Sequence, residues 1–178
     1  GERSDPMTEK TLTMTVGHAI VPDGYTRTDR EQRLLDWSHI DERMSAALNY
    51  WIATTRPNGH PHVAPTWAVW HEGRLYFDGS PETRRMQNIA ANPHIAVHLE
   101  DGAQAVIVEG IASEHGRPTP EFAAQLAALY SAKYADAGYT PTPDTWDRGG
   151  LYVVEPTLAL AWTEFGVDMT RWRIRRPA

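Results

Sequence analysis

Residues 80 to 93 read SPETRRMQNIAANP, and their first turn carries side chains suited to an anion. Ser80 fits a helix cap, Pro81 the first helical position, and Glu82 the first turn, where the helix dipole favours an acid. Thr83, Arg84 and Arg85 follow; Met86, Ile89 and Ala90 then supply an apolar face before Asn92 and Pro93 end the helix. The first N–H groups of a helix lack internal acceptors and point to where an anion would sit. A threonine hydroxyl and two guanidiniums beside them complete a phosphate seat, each charge-assisted hydrogen bond contributing roughly 1.5–3 kcal/mol. An exposed arginine ion pair contributes only about 0–1 kcal/mol. Of 17 basic residues, 15 are arginine. On spacing alone, two readings therefore stand: a solvated turn in an arginine-biased chain, or a phosphate seat.

The other polar clusters are weaker. His60 and His62 alternate and so share one face of a strand, but no third ligand is evident and cysteine is absent. No metal is expected. His94 and His98 occupy another strand, with solvent or core as their ordinary surroundings. No local Ser-His-Asp pattern stands out, and Gly59, Gly73 and Gly79 match no glycine-rich phosphate loop. The catalytic residue is left unassigned. Tyr130, a histidine of the second strand, or water could donate a proton, while Tyr130 and Lys133 read as packing and rim of a helix.

The chain has 178 residues, enough for one domain with a sizeable core, and its 41% apolar and 22% charged content is that of a globular protein. A net charge of −6 argues against a nucleic-acid module. No apolar run approaches membrane-spanning length, and no basic stretch precedes an apolar one near the start. A cytoplasmic protein without nucleic-acid or membrane partners is expected. With no cysteine, disulfides and thiolate chemistry are excluded. Seven tryptophans are many for this length and suit an interface or a ligand wall.

Those residues need elements to hold them. Residues 1–33 are polar and aperiodic and predict an arm, poorly ordered or wrapping; 34–178 predict one domain. Ser38 and Asp41 fit a helix start, with Ile40, Met44, Ala47 and Leu48 on one face. Runs 49–56, 60–70 and 74–79 predict a three-strand meander joined by PNG and HEG turns. Pro61 and Pro65 cannot donate to a ladder, so one side of the second strand must be open, bulged or facing something else, such as a planar ligand. Strands over 94–100 and 103–114 follow; Thr119 caps and Pro120 opens a helix burying Phe122, Leu126, Leu129 and Tyr130. Runs 150–156, 158–165 and 170–174 close the chain. The pattern is mainly β with helical inserts, an antiparallel barrel.

The run from Tyr50 to Glu100, with VIVEGIA behind it, resembles the pyridoxamine 5′-phosphate oxidase-like superfamily, which includes enzymes using the deazaflavin coenzyme F-420. The likeness is good over about 50 to 113 and looser over ALAW and TRWRI. It implies a split β-barrel, a homodimer, and a flavin-type cofactor, F-420 or FMN, in a groove between subunits. It further implies that Thr83, Arg84 and Arg85 grip the cofactor phosphate, and that His62, Val63, Ala64 and Pro65 lie along the ring. Phe77 and Asp78 would flank the ring, and Trp162 would approach from the other subunit. The family's glutamine before the fifth strand falls at Ala105, leaving Gln104 as a substitute.

The departures narrow the activity. Ala64 and Val69 stand where the oxidases proper carry arginine and lysine on the second strand, and the C-terminus lacks their Arg-Leu-His motif. Vitamin B6 oxidation is therefore not expected. The resemblance implies instead an oxidoreductase exchanging a hydride with a small organic substrate, F-420 being favoured over FMN. The alternative on the same fold is a non-catalytic flavin or haem binder or sensor, with His60, His62 or His98 as axial ligand.

Overall fold

The computed structural model describes residues 12–177. Its elements in order are β1 (Thr13–His18), α1 (Trp37–Ala46), β2 (Tyr50–Thr55), β3 (Pro61–Thr66), β4 (Val69–His71) and β5 (Arg74–Asp78). Then come α2 (Arg84–Ala91), β6 (His94–His98), β7 (Val106–Glu114), α3 (Pro120–Tyr134), β8 (Leu151–Ala161) and β9 (Thr170–Arg175). Among the described residues the strands form one antiparallel sheet ordered β1-β9-β8-β7-β6-β2-β3, with β5 bonded to β4 and β8. The architecture is mainly β with helical inserts, as the pattern predicts.

β8 is the hub. It pairs along its length with β7, while on its other side Leu151–Val154 meet β5 and Leu158–Ala161 meet β9. The two short strands predicted over 150–165 are thus one strand ending at Ala161. A register shift at Glu109/Gly110 absorbs the irregularity. A Cβ on Gly110 would lie 2.5 Å from the Glu155 carbonyl oxygen, so only glycine fits where the two strands cross so closely.

The extended run predicted over 60–70 breaks at Trp67–Ala68. The Ala68 N–H donates to the Tyr134 hydroxyl at 3.0 Å, and its carbonyl accepts from the Lys133 ammonium, also at 3.0 Å. Helix α3 has thus taken over the backbone groups that a strand would have paired. Among the described residues β3 is an edge strand bonded only to β2, and that explains its two prolines.

Two helix starts differ from expectation. α1 is capped by Asp36, whose Oδ1 accepts from the Ser38 N–H at 3.0 Å, and it stops at Ala46, leaving Leu48 55% exposed instead of on the buried face. α2 begins at Arg84 with Thr83 as its cap, not Ser80. The Thr83 Oγ1 accepts from the Met86 N–H at 3.3 Å and donates to the Ser80 carbonyl at 3.0 Å; Ser80 to Thr83 are spent in a turn. Thr119 caps α3 through the Phe122 N–H, as predicted.

The main core fills the space between the sheet and α1, with Ile40, Met44, Tyr50, Ile52, Phe77, Val108 and Trp172 buried. A second core under α3 gathers Val69, Tyr76, Leu126, Tyr130, Tyr134 and Trp146. Of the predicted arm, residues 1–11 lie outside the described residues. The remainder supplies β1, paired with β9, and then lies over the loop between β8 and β9. There Arg27 and Arg33 donate backbone N–H bonds to Gly166 and Val167 at 2.8 and 3.3 Å. Gly166 sits at φ +83°, and a Cβ would come within 2.7 Å of the Tyr25 carbonyl oxygen.

Candidate functional site

The cap on Thr83 makes Arg84 and Arg85 the first two residues of α2, so their N–H groups have no intrahelical acceptor. α2 is pinned to β2 by the buried Asn88, whose amide donates to the Thr54 hydroxyl at 3.0 Å. Consecutive helical residues diverge by about 100°, and the two arginines face different surroundings. Arg84 is exposed beside a depression of about 350 Å³ that it shares with Arg56, Pro57 and Asn58. Arg85 turns inward over the Phe77 ring, 5.6 Å from its centre. Its Nε and Nη1 are buried with no hydrogen-bond partner among the described residues. Burial lowers its pKa, and no carboxylate among the described residues offsets that cost.

Along β3, Val63 is 53% exposed, Ala64 pairs with Ile52, and the His62 Nδ1 is enclosed without a partner among the described residues. Pro65 lines a pocket of about 450 Å³ together with Asn49, Thr66, Trp67, Asp78 and Tyr139. Asp78 closes it from the end of β5: its Oδ2 accepts from the Tyr139 hydroxyl and from the Trp146 indole N–H at 3.3 Å. Burial first, then this bond and the charge of Asp78, raise the Tyr139 pKa above the ordinary phenol value. Phe77, the preceding residue on the strand, points the opposite way and is fully buried, meeting the site only through Arg85.

The structure brings Pro65 and Asp78 together, and places Thr83, Arg84 and Arg85 on one helix end. It sets Trp162 apart. Asp78 pairs with Leu151 at the start of β8, and Trp162 directly follows the strand's last residue, Ala161, a contour length of about 36 Å at strand rise. There Trp162 packs edge-on against Phe165 at 5.4 Å. Tyr130 is also no candidate donor in this geometry. It is fully buried, its hydroxyl donates to the Tyr76 carbonyl at 3.1 Å, and burial raises its pKa well above the ordinary value.

Arg56, Tyr139, Trp146 and Lys133 take places that the sequence patterns did not assign. Tyr139 and Trp146 sit in a loop rich in Pro, Thr and Asp, where aromatic residues were the available signal. Lys133 is more than a rim: its ammonium donates to the Tyr50 hydroxyl at 2.6 Å and stands 4.7 and 5.3 Å from the Tyr50 and Tyr134 ring centres. Burial lowers its pKa from 10.5 to about 8. The unfolded chain therefore holds more protons between those values, and stability rises with pH across the window. Relative to Lys133→Met, the wild type should gain about 1–2 kcal/mol between about pH 7 and about pH 10, the shift being discounted for water that still reaches the side chain. Thermal unfolding of both proteins at the two pH values measures this difference.

The outward face of the sheet carries a cross-strand row: Pro65, Trp51, His98, Ile107 and Leu160, aligned by register over five strands, none of them fully buried. Trp51 stacks on the His98 ring with centroids 6.1 Å apart. The His98 Nδ1 lies 2.8 Å from the Leu99 carbonyl oxygen. Among the described residues no helix is long and apolar enough to cross a membrane.

The family model described as pyridoxamine 5′-phosphate oxidase matches residues 38–162. Among solved structures, an F-420 reductase is 24% identical, with 78% of this chain and 98% of that one aligned at a TM-score of 0.53. HutZ, the haem storage protein from Vibrio cholerae, is 18% identical over 67% of this chain and 88% of its own, at 0.51. A 5-nitroimidazole antibiotic resistance protein from Bacteroides thetaiotaomicron is 11% identical over 93% of both chains, at 0.56. At these identities the likeness is one of fold, the split β-barrel. No curated protein sequence matches the chain.

Proposed function

The chain belongs to the pyridoxamine 5′-phosphate oxidase family, and from that premise we propose that it is an oxidoreductase holding F-420 or FMN at a homodimer interface and exchanging a hydride with a small organic substrate. One observation carries the proposal. The Arg85 guanidinium lies at the start of α2 with two nitrogens buried and unpartnered, a cost that a bound phosphate would offset. Arg84 would supply a second guanidinium at the same helix end, whereas the one hydroxyl hydrogen of Thr83 is committed to the Ser80 carbonyl, so Thr83 would serve by capping the helix. Pro65 and Asp78 would adjoin the ring, and apolar walls such as Trp67 would keep water from it. The cofactor would carry the hydride; the chain would bind, orient and shield it.

Distance supports the proposed second subunit. A contour length of about 36 Å along β8 separates Trp162 from Asp78, which favours a place for Trp162 at another subunit's pocket. A second copy could deliver it, and docking on the outward row from Pro65 to Leu160 would cover that apolar stripe.

Haem carriage is the second reading, favoured by His98. A bond from its Nδ1–H to the Leu99 carbonyl leaves Nε2 free, the arrangement of a metal-ligating histidine. Spectral titration of the purified protein with FMN, F-420 and haem separately decides between them. Micromolar binding of FMN or F-420 is expected; binding of haem alone, or of nothing, rejects the oxidoreductase.

A further inference from the structure

Asp78 is a carboxylate held in place on one oxygen and open on the other. Both of its donors, the Tyr139 hydroxyl and the Trp146 indole, reach Oδ2, whereas Oδ1 accepts no hydrogen bond among the described residues. No described arginine, lysine or histidine lies within ion-pair distance of it. Lys133 on the neighbouring helix directs two of its three donors to Tyr50 and Ala68. Asp78 thus brings an uncompensated negative charge to a pocket of about 450 Å³.

The walls beside it are aromatic. Trp67 is 39% exposed, and its ring is fixed by stacking on Tyr134 at 5.0 Å with 15° between planes. Tyr139 stands 6.1 Å from Trp67, tilted by 44°. Flat faces of this kind favour planar guests, and their electron-rich surfaces attract cations. Asn49 and Thr66 complete the lining without adding a positive charge.

We propose that this pocket selects a small planar organic cation, of the amidinium or aromatic ammonium class, as the substrate presented to the redox site. The proposal rests on the oxidoreductase reading for the word substrate; the cation preference stands on Asp78 and the two rings. The carboxylate is pre-positioned by its Oδ2 donors, so a cation gains a charge-assisted hydrogen bond at Oδ1 at little ordering cost. A neutral isostere gains a weaker one, and an anion is repelled.

The test is calorimetric titration of the protein, with and without bound cofactor, using benzamidinium, benzamide and benzoate. Benzamidinium should bind about tenfold tighter than benzamide or better, with benzoate weakest, in both states. Asp78→Asn should erase the difference, while Tyr139→Phe, which keeps the carboxylate, should retain it. Equal affinities for benzamidinium and benzamide in the wild type, or no binding, overturn the cation pocket even if the variants misfold. Displacement of bound cofactor by benzamidinium overturns the substrate assignment, since the pocket would then belong to the ring. Failure of FMN and F-420 to bind is read by the separate spectral titration and overturns the oxidoreductase reading, whereas cofactor binding without cation preference overturns the pocket alone.

Discussion

Arg84→Glu combined with Arg85→Glu should raise the dissociation constant for FMN or F-420 by about a hundredfold or more, because two charge-assisted hydrogen bonds of roughly 1.5–3 kcal/mol each are lost and repulsion is added. The single change Arg85→Met separates binding from folding. In the protein without ligand, Arg85 is a half-buried cation with two buried, orphaned nitrogens and a pKa lowered by burial, so an apolar side chain of similar length should leave the melting temperature unchanged or raise it. Affinity should nonetheless fall at least tenfold, by one charge-assisted bond. Inorganic phosphate gives a readout independent of activity: it should raise the melting temperature of the wild type and leave that of Arg85→Met untouched. Unchanged cofactor affinity in the double variant would remove the phosphate seat, and a large destabilisation of Arg85→Met would show that the guanidinium serves the fold.

What was legible in the sequence was local. The Thr119–Pro120 start of α3 and the HEG turn between β4 and β5 rest on interactions a few residues apart, and both formed as their patterns predict. Where structure departs from pattern, a distant group intervenes. The break at Ala68 comes from Lys133 and Tyr134, 65 and 66 residues away. β1 does carry a short apolar alternation, Leu12, Met14 and Val16 between threonines, which the aperiodic reading of 1–33 passed over; the strand is exposed over almost all of its length, and β9, more than 150 residues on, supplies its ladder. Around the site, Thr83, Arg84 and Arg85 were visible because a helix terminus is a local object. The shift of the cap from Ser80 to Thr83 was not, since both residues suit it and Pro81 favours the earlier choice. Asp78 was named, but its donors Tyr139 and Trp146 lie 61 and 68 residues further on, in a loop without periodicity.

Asp168→Ala should cost about 3–5 kcal/mol, the scale for breaking a buried, hydrogen-bonded charge. At the size of this domain that lowers the melting temperature by about 10 °C. The Asp168 side chain is fully buried in the loop between β8 and β9. Its Oδ1 accepts from the N–H groups of Thr163 and Glu164, both at 2.9 Å, and its Oδ2 accepts from the Thr163 hydroxyl and from Arg33 at 3.1 Å. Burial alone would push its pKa up, but the Thr163 and Glu164 donors and the Arg33 charge together bring it below the usual carboxylate value. Its contribution is therefore complete above the ordinary aspartate range and is lost as pH falls through the depressed folded value, so the gap between wild type and variant should close in acid. Asp168→Asn keeps one acceptor oxygen and should cost less than the alanine variant. The same carboxylate fixes the turn that follows Trp162 and the segment from Arg27 to Arg33 that lies over it. In a dimer where Trp162 serves the partner's pocket, Asp168→Ala should therefore also weaken cofactor binding, although Asp168 touches none of the residues around Asp78 or Arg85. A loss below about 1 kcal/mol, the level of an exposed ion pair, would show that the loop holds its shape without this carboxylate.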